Sequence, residues 1–348
     1  MRLTWTLIAL TAVATAAAGI AHYTDAPSLL TFVIATIALA GLAWIVSFAT
    51  EQVGERFGPA ATGVLQSTLG NLPEFFIVVF ALGAGEIVVA QTSILGSIFA
   101  NALLVLGLVL IAGCRQSADG VMRFQARLPK DNAVLMMLAS FLIVILGISV
   151  ATGDRASHHV EAISITGAVA LLLTYAVWLV DYLRSGPEQE PSRRTPRVSM
   201  TRAVVLLGVA GVGAAFVSDW FIDALSPAME QIGVPKAFAG LVIVGIAGNA
   251  VENTAGVVLA LKGQADLAIS VVKNSVAQIT AFLFPALVLV SLLFATPLTF
   301  ELEPVYIGAM LLTGLALWQI TGDGEATRFE GVALISLYVI LAVVTFFE

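Results

Sequence analysis

Charged side chains are scarce in this chain. Asp, Glu, Lys and Arg make up only 11% of its 348 residues, whereas soluble domains carry about 25%. Hydrophobic residues make up 59%, which is enough for about ten membrane spans of ~20 residues each. These proportions exclude a soluble enzyme. The net charge of −7, without any basic stripe, also excludes a nucleic-acid-binding protein. The composition predicts a polytopic helical membrane protein.

Cysteine occurs once, as Cys114, which excludes a disulfide framework and a cysteine metal cluster. The sequence also lacks a phosphate-cradling loop, a nucleotide motif and a nucleophile–base pair. We therefore expect neither an enzyme nor an ATP-driven pump, and no bound cofactor. The apolar run from Arg2 to Ile20 is similar to a secretory signal peptide. A second apolar segment follows almost at once, so we expect this run to be the first membrane helix.

Hydropathy predicts eleven membrane helices, and the positions of Lys and Arg support that number. We predict helices near residues 4–21, 28–50, 64–83, 87–113, 132–151, 160–183, 202–224, 237–261, 266–294, 304–320 and 329–347. With a cytoplasmic N-terminus, thirteen of the sixteen Lys and Arg residues fall on the cytoplasmic side, as the positive-inside rule requires. Arg155 and Lys236 fall outside, and Lys273 falls within a span. We expect a multi-pass protein of a prokaryotic inner or plasma membrane, with its C-terminus outside.

One polar linker divides the chain almost in half. Residues 185–201 are rich in Pro, Ser and charge and show no apolar period, which is typical of a flexible connection. The predicted fold is all-α, with about eleven transmembrane helices. We expect an N-terminal helix in residues 1–27, a five-helix repeat in 28–184, the cytoplasmic linker in 185–201 and a second five-helix repeat in 202–348. Five is an odd number, so the second repeat is inverted relative to the first.

A short motif occurs twice, once in each half. Residues 70–74 read Gly-Asn-Leu-Pro-Glu, and residues 248–252 read Gly-Asn-Ala-Val-Glu, at an offset of 178. The same offset carries Ser97 onto Ser275, so a serine follows each glutamate after 23 residues. Inverted repeats place substrate sites near the middle of the bilayer, at the interface between the halves. We therefore expect Glu74 and Glu252 to approach one another.

Two carboxylates at this depth suggest a cation site. An ionisable group in a membrane costs about 2.5–3.5 kcal/mol and usually faces a cavity or an ion path, and hard cations prefer oxygen ligands. We expect the cation or proton ligands to be Glu74, Glu252, Asn71, Asn249, Ser97, Asn101, Ser275 and Gln278. Gly70, Gly96 and Gly248 would allow close helix approach and expose carbonyls. The alternative is that the side chains of Ser97, Asn101, Ser275 and Gln278 only form hydrogen bonds between helices.

The stretches GNLPEFFIVVFAL, SILGSIFANALLVLG and GLVIVGIAGNAVENTAGVVLALKGQADLAI resemble the cation/calcium exchanger superfamily, most closely its calcium/proton antiporter (CAX) branch. The resemblance covers about residues 28–113 and 203–294. It implies an eleven-helix fold with a pseudo-two-fold axis, in which Glu74 and Glu252 bind calcium and protons. The resemblance to the sodium/calcium branch is weaker, because that branch has hydroxyls near Asn71.

The resemblance also implies that helices 2 and 7 are sliding gates with acidic residues near their ends. Glu51 and Glu230 are the candidate gate carboxylates, and solvated interfacial carboxylates are an equally good interpretation of both. Three residues depart from the family pattern. Asn253 replaces a usual histidine, Lys273 replaces an apolar residue, and Asn274 replaces a glycine before Ser275. Lys273 either modulates the site as a built-in cation or extends its stem to the cytoplasmic interface, and we favour the second.

These observations predict a secondary active antiporter that exchanges calcium for protons. Its expected partners are calcium ions, protons and the lipid bilayer, with no nucleic acid. One alternative is a sodium-coupled or monovalent cation/proton exchanger on the same scaffold. A second alternative is a degenerate member that no longer transports, for which Asn253 and Lys273 are the supporting features.

Overall fold

The computed structural model describes residues 2–54, 56, 69–125, 127–185 and 197–348, without the side chains of 2–3, 127–132, 182–185 and 250–253. The first half contains α1 Arg2–Tyr23, α2 Ser28–Gly54, α3 Leu72–Gly83, α4 Ile87–Cys114, α5 Arg127–Thr152 and α6 Val160–Ser185. The second half contains α7 Met200–Ile232, α8 Lys236–Gly248, α9 Ala250–Leu261, α10 Ala265–Ser291, α11 Pro304–Thr321 and α12 Arg328–Phe347. A 3-10 helix, Arg155–His159, precedes α6.

The protein is an almost entirely helical, multi-pass membrane protein. Over the described residues, nine helices are long and apolar enough to cross a membrane, and α3 and α8 are shorter apolar helices. The predicted span 237–261 corresponds to α8 and α9, which are separated at Asn249. The predicted span 64–83 lies partly outside the described residues. The other predicted spans each correspond to an observed helix, and the total of eleven crossings stays a prediction.

A small two-stranded sheet, which the sequence did not predict, joins the two halves. Strand β1, Val121–Arg123, follows α4, and strand β2, Glu325–Thr327, lies between α11 and α12. The strands are antiparallel, with Met122 opposite Ala326. We call the end of the helix bundle that carries β1 and β2 the hairpin face, and the opposite end the far face.

Helices α4 and α10 run in opposite directions. Met122 of β1 packs on Gly113 at the end of α4. The carboxylate of Asp266, in the first turn of α10, accepts a hydrogen bond from the backbone N–H of Gln125, just after β1, at 2.7 Å. The end of α4 and the start of α10 therefore lie together at the hairpin face. Since the offset of 178 relates these two helices, their opposite directions agree with an inverted repeat.

Both helices also widen into a π-helix at the same place in the repeat. The π-helical segment of α4 is Ala100–Val105, and that of α10 is Ile279–Leu283. A third segment, Ala239–Val244, lies in α8. In a π-helical turn the backbone hydrogen bonds span five residues instead of the four of a regular α-helix, and such turns are frequent at functional sites. The irregular turns therefore mark the region where the two halves meet.

Helices α2 and α7, the two candidate gates, pack along one another. The rings of Phe32 and Phe221 stack with centroids 5.0 Å apart. At the hairpin face, the side-chain oxygen of Gln52 accepts a hydrogen bond from the backbone N–H of Arg197 at 2.6 Å. The end of α2 is thus bonded to the last part of the predicted linker. A movement of α2 would act directly on that segment.

Helices α4 and α8 cross in close contact because glycines line the crossing. A Cβ atom on Gly96 would collide with the backbone carbonyl of Leu241, and one on Gly245 would lie 2.5 Å from the carbonyl carbon of Gly96. A Cβ on Gly240 would meet the hydroxyl of Thr92. Small residues permit such close backbone approach in membranes. The crossing therefore has no room for a side chain at these positions.

Because of this close crossing, we expect two Gly→Ala substitutions to differ in their effect on thermal stability. Gly96→Ala should lower the thermal stability of the purified protein, because overpacking costs about 1–3 kcal/mol. Gly308→Ala in α11 is the control, because its added Cβ would meet no atom within 4 Å. The measurement is the thermal unfolding midpoint in detergent. Equal midpoints for the two variants would contradict the close crossing.

Candidate cation-binding site

The two copies of the repeated motif have the same backbone conformation. Asn71 has φ −92° and ψ 16°, and Asn249 has φ −95° and ψ 15°. Each asparagine immediately precedes a helix, so Glu74 takes the third position of α3 and Glu252 takes the third position of α9. These φ and ψ values belong to the sparsely populated bridge region, where many active-site residues lie. The sequence repeat is therefore also a repeat of local structure.

Glu74 of the first copy contacts the second copy. Its side chain is buried, with 4% exposure. A Cβ atom on Gly248 would lie 2.8 Å from Glu74 Oε1 and 3.2 Å from its carboxylate carbon. The absence of a side chain at Gly248 thus lets the carboxylate reach the backbone of the other half. The side chain of Glu252 lies outside the described residues.

An amide and hydroxyl cluster joins the two halves beside this contact. Asn101 Nδ2, in the π-helical segment of α4, donates to Asn249 Oδ1 at 2.6 Å and to Ser275 Oγ at 3.1 Å. Asn249 Nδ2 donates to the carbonyl of Gly245 at 2.9 Å. Asn101 and Asn249 are fully buried, and Ser275 is 4% exposed. Among the described residues, no donor reaches Asn101 Oδ1, which leaves this buried oxygen as an acceptor for another partner.

The other predicted ligands are placed differently. Ser97 is fully buried, and its hydroxyl has no hydrogen-bond partner in the described part of the chain. Asn71 is buried at the start of α3, and Gly70 lies in the turn before it. Gln278 is half-buried at the edge of the π-helical segment of α10, and no hydrogen bond joins it to the other described members. The structure therefore links Asn101, rather than Gln278, to Ser275.

The two candidate gate carboxylates lie at opposite ends of the molecule. Glu51 is half-buried in the last turn of α2, next to Gln52 at the hairpin face. Glu230 is exposed near the end of α7 at the far face. Neither is part of the central cluster. Their roles as gate residues stay predictions.

The cluster offers oxygen atoms of several kinds. Over the described residues, no group of three or more His, Cys, Asp or Glu side chains could hold a metal ion. The described oxygens are instead one carboxylate, amide and hydroxyl oxygens, and the carbonyls at the end of α8. Carbonyls at a helix C-terminus lack intrahelical donors and carry partial negative charge. Such oxygens suit a hard cation that also draws on carboxylates.

Lys273 does not extend to the surface, so that expectation was wrong. Its side chain is only 3% exposed. The ammonium donates a hydrogen bond to Thr321 Oγ1, and Thr321 Oγ1 donates to the carbonyl of Leu317 at 2.6 Å. Thr321 is the last residue of α11, where the helix dipole favours a positive charge. The Lys273 ammonium therefore donates its hydrogen bond to a buried hydroxyl, that of Thr321.

Fold and site together define a helical membrane protein in which two related halves contribute to one buried polar cluster. Residues 27–181 and 202–347 match the family described as sodium/calcium exchanger protein. The chain belongs to that family. The matched ranges leave out residues 182–201, which include the whole of the predicted linker.

Curated relatives match over almost the whole chain. A Ca(2+)/H(+) antiporter of Synechocystis is 30% identical over 352 residues, covering 94% of each chain. The Ca(2+)/H(+) antiporter ChaA of Bacillus subtilis is 29% identical, covering 91% of this chain and 92% of its own length. The vacuolar calcium ion transporter of Schizosaccharomyces pombe is also 29% identical, with 91% and 79% covered. These relatives are membrane transporters rather than enzymes.

Solved structures share the fold. The structure of native YfkE matches with a TM-score of 0.84 at 28% identity, over 98% of this chain and 100% of the other. The H+/Ca2+ exchanger CAX matches with a TM-score of 0.75 at 16% identity, over 100% and 93%. The sodium-calcium exchanger NCX_Mj matches with a TM-score of 0.57 at 19% identity, over 91% and 98%. The last two matches support the fold alone.

The buried lysine predicts a non-additive pair of substitutions. Thr321→Val should lower stability by about 1.5–3 kcal/mol, because it removes a hydrogen-bond acceptor from a buried charged group. In a Lys273→Met background the same substitution should cost much less, because the ammonium is then absent. Thermal unfolding of the four proteins measures this coupling. Additive shifts would show that the two side chains do not depend on one another.

Proposed function

We propose that this protein exchanges calcium for protons across the membrane, with Glu74 and Glu252 as the groups that bind either ion. The observation that carries the proposal is the buried carboxylate of Glu74 against Gly248 of the opposite motif. Relatives named as Ca(2+)/H(+) antiporters support the choice of ions. We propose Asn71, Asn249, Ser97, Asn101, Ser275 and Gln278 as the further polar groups of the site.

Competition between the two ions is the basis of coupling. A carboxylate in a low-dielectric interior is costly unless its charge is neutralised. Calcium and protons each provide that neutralisation, so binding of one displaces the other. We infer the role of the second carboxylate, Glu252, from the backbone conformation that Asn71 and Asn249 share, since Glu252 takes the same position in α9 as Glu74 in α3. Neither ion is a resident cofactor, because both are cargo.

Alternating access requires the site to open at one face at a time. Helices α2 and α7 are the candidate gates, and their sliding would expose the site at either the hairpin face or the far face. We assign the hairpin face to the cytoplasm, since most Lys and Arg residues lie there by the sequence analysis. An inward proton gradient would then extrude calcium. The presence of bacterial relatives supports a prokaryotic plasma membrane.

Calcium flux into proteoliposomes tests this function. We expect an inside-acid proton gradient to drive calcium uptake, and Glu74→Gln or Glu252→Gln to reduce the initial rate. Losing one member of a buried charged interaction costs about 2–5 kcal/mol, which corresponds to a reduction of at least about 30-fold. Glu161→Gln is the matched control, because Glu161 is exposed in the first turn of α6.

The ion gradients separate the alternatives. Uptake that follows a sodium gradient and ignores the proton gradient would favour the sodium-coupled exchanger. Calcium binding without flux under any gradient would favour a member that no longer transports. Full uptake by both glutamine variants would refute the assignment of Glu74 and Glu252, whichever ion is coupled.

A further inference from the structure

Three side chains from separate elements meet at the far face. Lys236 Nζ, at the first residue of α8, lies 2.8 Å from Glu86 Oε1, in the turn between α3 and α4. Ser226 Oγ, on α7, donates to the same oxygen at 2.7 Å. One carboxylate oxygen therefore joins the two repeats to one another and to a candidate gate helix. We call Glu86, Ser226 and Lys236 the far-face cluster.

The side chain of Glu86 forms no capping hydrogen bond to the helix that it precedes. Gly85 has φ +75°, which favours glycine, and it forms the tight turn that places Glu86 immediately before α4. A carboxylate is favourable at that helix N-terminus, but Lys236 at the start of α8 faces the positive end of a helix dipole. Lys236 is therefore stabilised by Glu86 rather than by its own helix.

The second repeat has the same turn without the charge. At the offset of 178, Gly85 corresponds to Gly263, with φ +72°, and Glu86 corresponds to Gln264. Glu86 has φ −85° and ψ 62°, and Gln264 has φ −93° and ψ 64°. The sequence positions that correspond to Ser226 and Lys236 hold phenylalanine and glycine. The backbone is thus duplicated, whereas the ion pair exists in only one copy.

The Glu86 carboxylate stays charged near neutral pH. Burial by itself would raise the pKa of the Glu86 carboxyl, but hydrogen bonds from Lys236 and Ser226 and the nearby ammonium charge outweigh it and hold the pKa below the usual value. A depressed carboxyl pKa means that the interaction is fully present above the usual pKa and is lost only as the pH falls through the lower value. Protonation is therefore not what opens the cluster near neutral pH.

We propose that the far-face cluster is a latch that closes the ion path at the far face, so that Glu86, Ser226 and Lys236 are positioning residues for transport. The proposal rests on the proposed function, because alternating access supplies the movement that the latch controls. Sliding of α7 against α3 and α4 must break the hydrogen bond from Ser226. Pro227, the next residue, lacks a backbone N–H and weakens the helix there. The corresponding turn of the second repeat, Gly263 and Gln264, carries no carboxylate, so this ion pair has no counterpart there.

Chemical labelling of a buried cysteine tests the latch without measuring transport. Ser93 lies on α4 between the far face and Ser97, and it is 3% exposed. We would place Ser93→Cys in a Cys114→Ala background and add a membrane-impermeant thiol reagent from the far face. Glu86→Gln and Lys236→Gln should each raise the labelling rate by about fivefold, the upper end expected for a partly exposed ion pair.

Charge exchange separates a latch from a general loss of structure. The double variant Glu86→Lys with Lys236→Glu should restore labelling to within about twofold of the parent, because it re-creates the pair. Glu161→Gln, an exposed carboxylate on the same face, should leave labelling unchanged. Unchanged labelling in both single variants would overturn the latch, and so would a charge exchange that fails to restore protection in a monodisperse protein.

The labelling result is independent of the transported ions. Faster labelling in the single variants, with restoration in the charge exchange, supports the latch even where calcium flux is absent, and in that case only the proposed function fails. Calcium flux that depends on Glu74 together with unchanged labelling would support the function and reject the latch.

Discussion

The contact between the Glu74 carboxylate and the backbone of Gly248 is the constraint on which the rest of the structure depends. A carboxylate in the middle of a membrane protein is stable only where other groups compensate its charge. This requirement accounts for the glycine that allows the approach and for the helix break at Asn249 that exposes polar backbone. Both halves contribute to this place, because Asn101 of the first half donates hydrogen bonds to Asn249 and Ser275 of the second.

The two repeats share a backbone but differ in their side-chain chemistry. Asn71 and Asn249 have nearly the same φ and ψ, yet Asn249 is bonded to Asn101 of the opposite half. At the offset of 178 the counterpart of Asn101 is Ile279, whose side chain cannot form the hydrogen bond that Asn101 donates to Asn249. The far-face cluster follows the same pattern, because it is present in only one copy.

The sequence predicted the features that depend on spacing along the chain. Apolar runs located the helices. The repeated motif pointed to Glu74, which lies against Gly248 of the other half, and to Asn249, which is bonded to Asn101. Spacing indicated that Ser275 and Gln278 share a face of one helix, whereas the observed hydrogen bond comes to Ser275 from Asn101. Partners across a helix crossing cannot be derived from spacing within one helix. The π-helical segments add to this difficulty, because they shift the faces of α4 and α10 by part of a turn.

Other features lacked a local signal. Strands β1 and β2 are three residues each, shorter than the four to eight residues over which alternation can be recognised. Thr321 at the end of α11 is a common residue type in a common position, so nothing marked it as the acceptor for Lys273. The demand for an acceptor was visible in the sequence, since a lysine occurred within an apolar span. Which residue serves as that acceptor depends on how α10 packs near α11.

Calorimetry of calcium binding in buffers of different ionisation enthalpy tests the central claim most directly. If calcium and protons compete for the same carboxylates, calcium binding to the purified protein releases protons that the buffer absorbs. The measured heat should then vary linearly with the ionisation enthalpy of the buffer. Calcium binding with the same heat in every buffer would contradict the account.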